Sequence, residues 1–286
     1  MSLHNRAEYT SLNSMFKNFI TILILSVSAG VCFGQFDPGA RSHSMGNASV
    51  GLSDDVWAIF SNVGGLSQLD RSEVSFFYSP QPFGVPELSL QAVALALPTT
   101  FGIIGVSGKR YGFELYREFS GSVSYANNIS QVGIGVALVY HSITIQNYGS
   151  ASTLGIDIGF HIPLIERLNL GFSAKNINAP TLGSSKEKLP QIFSTGLVYR
   201  PIEKFSICAD YQKELRYDAS PRFGFEYWMV EEVALRGGVS NEPSLFTGGF
   251  GVRYLLFKVD YAFSSHQELG GTHQVSISIR WGKGEE

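Results

Sequence analysis

The stretch Leu154-Gly-Ile-Asp-Ile-Gly-Phe-His-Ile162 constrains the fold more than any other part of the chain. Leu154, Ile156, Ile158, Phe160 and Ile162 are large and apolar, while Gly155, Asp157, Gly159 and His161 between them are small or polar. A strand sends alternate side chains to opposite faces, so this is a strand with one oily and one polar face. In a soluble sandwich the oily face would be core. Here the same alternation recurs about a dozen times. Repetition on that scale predicts an all-β fold, a closed transmembrane antiparallel β-barrel that is oily toward lipid and polar toward its lumen.

From residue 73 onward the pattern is strand, turn, strand. Fourteen candidate strands fall near 73–79, 88–97, 100–109, 112–126, 131–143, 151–163, 167–176, 190–200, 203–212, 220–229, 232–240, 244–254, 256–264 and 272–281. Their lengths suit the ~9–11 residues of a tilted membrane strand, and their even number suits a single-chain bacterial barrel. The second and third alternate poorly. Connections sort by parity. The even ones are short (98–99, 127–130, 164–166, 201–202, 230–231 and 255), and most odd ones are longer (80–87, 144–150, 177–189, 213–219 and 265–271). Short periplasmic turns alternating with longer extracellular loops fit a barrel with both termini in the periplasm of a Gram-negative outer membrane.

The amino terminus reads as processing sequence. Lys17 precedes an uncharged apolar run ending at Gly34, which predicts a signal peptide over 1–34, cut near Gly34, with Met15 as an alternative start. Cys32 would leave with it, so Cys208 would have no partner for a disulfide.

Charged residues make up 16% of the chain, against ~25% in soluble domains. The 21 Phe, 13 Tyr and 31 Gly suit aromatic girdles and small lumen-facing residues. A net charge of −3 gives no basic footprint and argues against a nucleic-acid partner. The polar faces carry mixed charge: Glu114, Glu118, Asp157, His161, Lys175, Arg200, Lys204, Asp210, Arg222, Glu226, Arg236, Lys258, Asp260 and Arg280. A selective pore would show a ring of one sign, so these residues read as a hydrogen-bonded lumen network. Arg117 and Arg253 fall on nominally outward faces, which places them near strand ends or marks a register error. The histidines lack metal-site spacing and no Gly-x-Ser-x-Gly occurs. Asp54-Asp55 could bind a cation, but adjacent carboxylates point apart in an extended chain, which favours a turn or cap role. No enzyme, cofactor or metal is expected.

Ahead of the first strand stand Gly39-Ala-Arg41, then Met45-Gly-Asn-Ala48, then Asp54-Asp55, then Asn62-Val-Gly-Gly-Leu66. This order resembles the PorV/PorQ family of Bacteroidota outer-membrane proteins, relatives of the FadL-type transporters. There, Asn47 would be glycine and Val63-Gly64 would be Pro-Ala. The segments 213–217, 234–238, 260–263 and 268–281 also resemble that family. The resemblance implies a plug in the lumen over 35–72, a barrel over 73–281 and a short tail over 282–286. Gly39, Arg41, Met45, Gly46, Asp54, Asp55, Asn62, Gly65 and Leu66 would be its plug-motif residues. It further implies an accessory or cargo-binding component of type IX protein secretion, with secreted proteins or secretion machinery as partners. The alternative is a FadL-like channel for a hydrophobic small molecule. It would need an apolar pocket beside the plug and a kinked strand opening sideways to lipid. Loop 177–189 is the candidate partner surface.

Overall fold

Strands whose two faces both lack a soluble core must close on themselves, because lipid offers no partner for an unpaired edge. The computed structural model describes residues 37–183, 186–241 and 243–282. The signal peptide expected over 1–34 and the tail beyond Gly282 lie outside the described residues. Fourteen strands form a closed antiparallel barrel: β1 (Ser72–Ser79), β2 (Leu90–Thr99), β3 (Gly102–Gly112), β4 (Tyr116–Ile129), β5 (Val132–Ile145), β6 (Gly149–Ile165), β7 (Leu168–Lys175), β10 (Ile192–Ile202), β11 (Phe205–Glu214), β12 (Ser220–Trp228), β13 (Val233–Ser240), β14 (Leu245–Tyr254), β15 (Phe257–His266) and β16 (Gly270–Trp281). A two-stranded hairpin, β8 (Thr181–Leu182) with β9 (Glu187–Lys188), sits within the longest connection. Closure is made by β1 on β16, from Ser72 opposite Trp281 to Tyr78 opposite Val275.

The outward face is apolar all the way round. Val123, Leu138, Leu154, Phe223, Phe250 and Ile277 are all exposed, each on a different strand. Tyr125, Tyr199, Tyr227, Tyr254 and Trp281 lie outward near the short-turn rim, where amphipathic rings settle at headgroup level.

The strands run further than the sequence pattern suggests. β2 continues through Pro98, so the turn is at 100–101 rather than 98–99, and β4 and β5 run to Ile129 and Ile145. Thr99 closes the first of these turns, its hydroxyl donating to the Gly102 carbonyl at 2.7 Å, and Gly102 takes a φ of +136° that favours glycine. Two odd connections shrink as a result: 146–148 and 267–269 are as short as the even turns. The contrast in loop length rests on 80–89, 176–191 and 215–219. β2 alternates poorly because its inward face is apolar too, whereas β3 turns Ser107 and Lys109 inward beside Ile103. Leu90, Ala92, Ala94, Ala96 and Ile103 point inward and pack with Trp57, Ile59 and Phe77 in one buried cluster. Arg253 is a correction. Phe246, Phe250 and Val252 hold the outward face of β14, so Arg253 points inward opposite Lys258. Arg117 does face outward, at the loop end of β4 opposite Thr144.

Residues 37–69 cross the lumen. Helix α1 (Ala40–Ser44) packs on β13 to β16, helix α2 (Ala58–Ser61) reaches β3, and the 3-10 helix Val63–Gln68 lies against β3 to β7. Inward glycines make room for this backbone. A Cβ on Gly159 would meet the Asn62 side chain at 2.2 Å, one on Gly171 would meet the Val50 carbonyl at 2.0 Å, and one on Gly238 would meet the Met45 backbone at 2.2 Å. The wall is therefore shaped to the segment inside it. We expect Gly171→Val to expel residues 48–52 from the wall without opening the barrel. Heat-modifiable gel mobility would persist while protease gained access to the segment; unchanged protection would show that the glycine is not needed.

Candidate functional site

Arg41 is the centre of the lumen. Its guanidinium donates to both carboxylate oxygens of Glu226 at 2.7 and 2.8 Å, and to Asp54 and Asp55. Asp54 and Asp55 do not diverge as an extended chain would have them. The chain bends at Ser53, whose φ is +20°, and both carboxylates reach Arg41. Asp55 also accepts the Trp57 amide at 3.0 Å, so it caps a turn as well. The network continues outward: Glu226 accepts from Arg236 at 2.7 Å, Arg236 donates to Asp260 at 2.8 Å, and Asp260 pairs with Lys258 at 3.0 Å. Arg200 reaches Asp54, and Arg280 reaches Glu73. Burial disfavours the charge on Arg41, but Asp54 and Glu226 outweigh it and hold the guanidinium well above its ordinary range.

The other motif residues serve the backbone of the same segment. Asn62 is fully buried, donates to the carbonyls of Val50 and Phe160, and accepts the Gly64 amide. Met45 and Leu66 are fully buried. Gly39 and Gly46 take positive φ, and a Cβ at Gly65 would meet Ser53 at 2.2 Å. Of the inward polar residues, Glu226, Arg236, Lys258, Asp260 and Arg200 belong to the Arg41 network, and Arg280 pairs separately with Glu73. Asp210 instead accepts the Val50 amide at 2.7 Å, and Asp157 accepts the Asn176 amide at 2.8 Å. His161 is buried on β6 with no partner for Nδ1. Arg222 forms no ion pair with any described residue.

Cavities lie between the segment and the wall. At the short-turn rim a cavity of about 160 Å³ is lined by Arg41, Asp54, Arg200, Glu226, Lys258 and Arg280, with Arg253 stacked 4.5 Å over Trp228. Its charges largely pair with one another, as in a scaffold. A second, of about 40 Å³, lies beside His141. There Ser120 Oγ contacts His141 Nδ1 at 3.1 Å, and His141 Nε2 meets Asn176 Oδ1 at 3.2 Å. The order is that of a nucleophile, a base and an orienting amide, but the space holds little more than a water or two. The third, of about 180 Å³, opens between the segment and the loop-side mouth. Phe83, Leu88, Leu90, Tyr111, Leu245 and Leu269 give it mainly apolar walls, and His43 and Asn47 belong to its floor. The His43 ring donates to the Asp37 carbonyl at 2.7 Å and stacks on Phe77 at 5.8 Å. Burial pushes its imidazole down to about 4.

The ladder of β3 is unbroken on both sides, from Ile103 to Gly112 against β4 and from Gly102 to Tyr111 against β2. The wall is irregular elsewhere. β7 pairs with β6 only as far as Ile158, and residues 176–178 take over, with the Ile177 amide donating to the Ile156 carbonyl and the Asn178 side chain spanning Leu154 and Ile156.

A fourteen-stranded barrel with an apolar exterior and an N-terminal segment packed across its lumen defines an outer-membrane type of β-barrel. Solved outer-membrane transporters and channels share this fold. The Ralstonia pickettii toluene transporter TbuX superposes with a TM-score of 0.62 at 13% identity, over 85% of this chain and 98% of that one. The TodX deltaS2S3 mutant monoaromatic hydrocarbon channel gives 0.60 at 14% identity, over 86% and 99%. A Pseudomonas aeruginosa FadL homologue gives 0.56 at 14% identity, over 84% and 97%. No protein-family model matches the sequence, and no curated protein matches it.

Two outcomes follow from the Arg41 network and from His43. Removing one partner of a buried ion pair costs about 3–5 kcal/mol, because the other is left charged and dry. Arg41→Met should therefore loosen the lumenal segment, read as faster proteolysis within residues 37–69 of the folded barrel. His43 is neutral when docked and titrates near 6.5 when released. The released state binds the extra proton between those values, so docking weakens as pH falls from 6.5 toward 4 and is flat above. In His43→Gln that pH-dependent component of protease protection should vanish.

Proposed function

We propose that the protein is a FadL-like outer-membrane channel that takes up small hydrophobic molecules, with the short turns and both termini in the periplasm. The cavity of about 180 Å³ above the lumenal segment carries this reading. It is mainly apolar, a few polar groups converge on it, and it opens toward the loops, which is the usual form of a small-molecule site. The likeness in fold to a toluene transporter and a monoaromatic hydrocarbon channel supports it. The seam between β6 and β7, filled by residues 176–178, is the wall's natural point of yielding for a sideways exit.

The resemblance of Gly39-Ala-Arg41, Asp54-Asp55 and Asn62 to the PorV/PorQ pattern favours a second reading, an accessory or cargo-binding barrel of type IX secretion. These residues fasten the lumenal segment and do not form a surface that a cargo protein would touch.

Uptake of radiolabelled toluene by vesicles with a lipopolysaccharide outer leaflet distinguishes the two. The channel reading expects faster uptake with the protein than without, reduced several-fold by Leu90→Trp, which fills the cavity. No acceleration, together with recovery of proteins bearing secretion C-terminal domains from envelope pull-downs, would favour the second.

A further inference from the structure

The upper cavity has a feature that a site for neutral hydrocarbons does not need. Arg222 lines it from β12 and is only partly exposed. Its guanidinium makes one side-chain hydrogen bond, from Nε to Ser220 Oγ at 3.3 Å. Its cross-strand neighbour Asp210 is turned to the lumenal segment and accepts the Val50 amide instead. No Asp or Glu lines the cavity among the described residues. The remaining titratable groups on its walls are Tyr111 and the histidines His43 and His266. His43 is kept neutral by burial, so Arg222 supplies the site's fixed positive charge. This differs from Arg41, Arg200, Arg236, Lys258 and Arg280, each of which meets a carboxylate.

A guanidinium in an apolar pocket with its terminal nitrogens uncommitted is a fork for an oxyanion, and carboxylate fits it best. Gln274 adds a second unsatisfied group. It is 6% exposed, it lines the same cavity, and its Oε1 accepts from no described residue. A buried acceptor of this kind carries a cost until a donor reaches it, and a ring hydroxyl is such a donor. Size sets the rest. An apolar cavity of about 150 Å³ takes benzene, and this one is about 180 Å³. One substituted ring fills it, whereas a long acyl chain would leave most of its length outside.

We infer that the upper cavity binds small single-ring aromatic carboxylates, preferably hydroxylated, with the carboxylate on Arg222 and the ring between Leu90, Tyr111 and Leu245. This deepens the channel reading and rests on it, because it names the class of molecule the same cavity selects.

The test uses the full mature barrel in nanodiscs, titrated calorimetrically with 4-hydroxybenzoate and with 4-hydroxybenzyl alcohol, which keeps the ring and hydroxyl but not the charge. The wild type should bind the acid at least about tenfold more tightly than the alcohol, the size of a hydrogen bond to a charged group. Arg222→Met should abolish that preference while leaving the alcohol's affinity within about twofold, and Arg222→Lys should retain part of it. Heat-modifiable mobility confirms that each variant is folded. Equal affinity for acid and alcohol in the wild type, or a preference that survives in Arg222→Met, overturns the carboxylate assignment but leaves the channel reading intact if toluene uptake persists. Failure of both probes to bind, with no toluene uptake, removes the site and the channel together.

Discussion

Backbone hydrogen bonding in lipid is the constraint on which the rest of this structure depends. A strand edge facing hydrocarbon has no water to satisfy it, so the ladder must run unbroken until it meets itself. Ser72 opposite Trp281 marks that meeting. Where the ladder lapses, on the loop-side half of β6, Asn178 supplies both an acceptor and a donor, to the Ile156 amide and the Leu154 carbonyl, and the Ile177 amide supplies another. A side-chain amide mimics the missing strand. Nothing comparable is needed elsewhere, because the other pairs stay in register apart from shifts near Pro163 and Tyr199.

Closure at fourteen strands creates a second problem. A barrel of about eight strands fills its interior with its own side chains, and a wider one leaves space. Here the chain fills that space with residues 37–69, and it does so by removing side chains from the wall rather than adding them. Gly159, Gly171, Gly196 and Gly238 let backbone lie against backbone. Close approach of this kind gives little sideways selectivity, so charge fixes the position. Arg41 bonds to two parts of the chain, β12 through Glu226 and its own segment through Asp54 and Asp55. Buried pairs are poor sources of net stability but strict about geometry, which suits a segment that must sit in one place within a smooth, small-residue channel.

What the sequence makes legible follows from this division of labour. Leu154 to Ile162 is readable because its outward side chains face lipid and its inward ones face polar groups, so the two faces differ. β2 is not, because Ala92, Ala94 and Ala96 face Trp57 and Ile59 and both faces are apolar. That loss of contrast shifts the turn from 100–101 to 98–99 and would hide the strand ends in any reading based on alternation alone. The inward glycines were visible as small residues, but their reason is the segment packed against them, which lies far away in sequence. The lumen charges were equally visible as types. Their pairing was not, since Arg41 meets Glu226 across 185 positions and no local pattern encodes such a distance.

The same limit explains why Arg222 looks ordinary in the sequence. It is one of fourteen mixed charges on the polar faces, and only its partners separate it from them. Asp210, the nearest acid across the ladder, is committed to the amide of Val50, so a lumenal contact decides whether a wall residue is free. The segment therefore has two roles that are physically one. By occupying the lumen it forms the floor of the upper cavity through His43 and Asn47, and by capturing Asp210 it leaves Arg222 uncommitted above that floor. A barrel of the same wall without residues 48–52 would let Asp210 turn toward Arg222 and pair with it, as Asp260 pairs with Arg236.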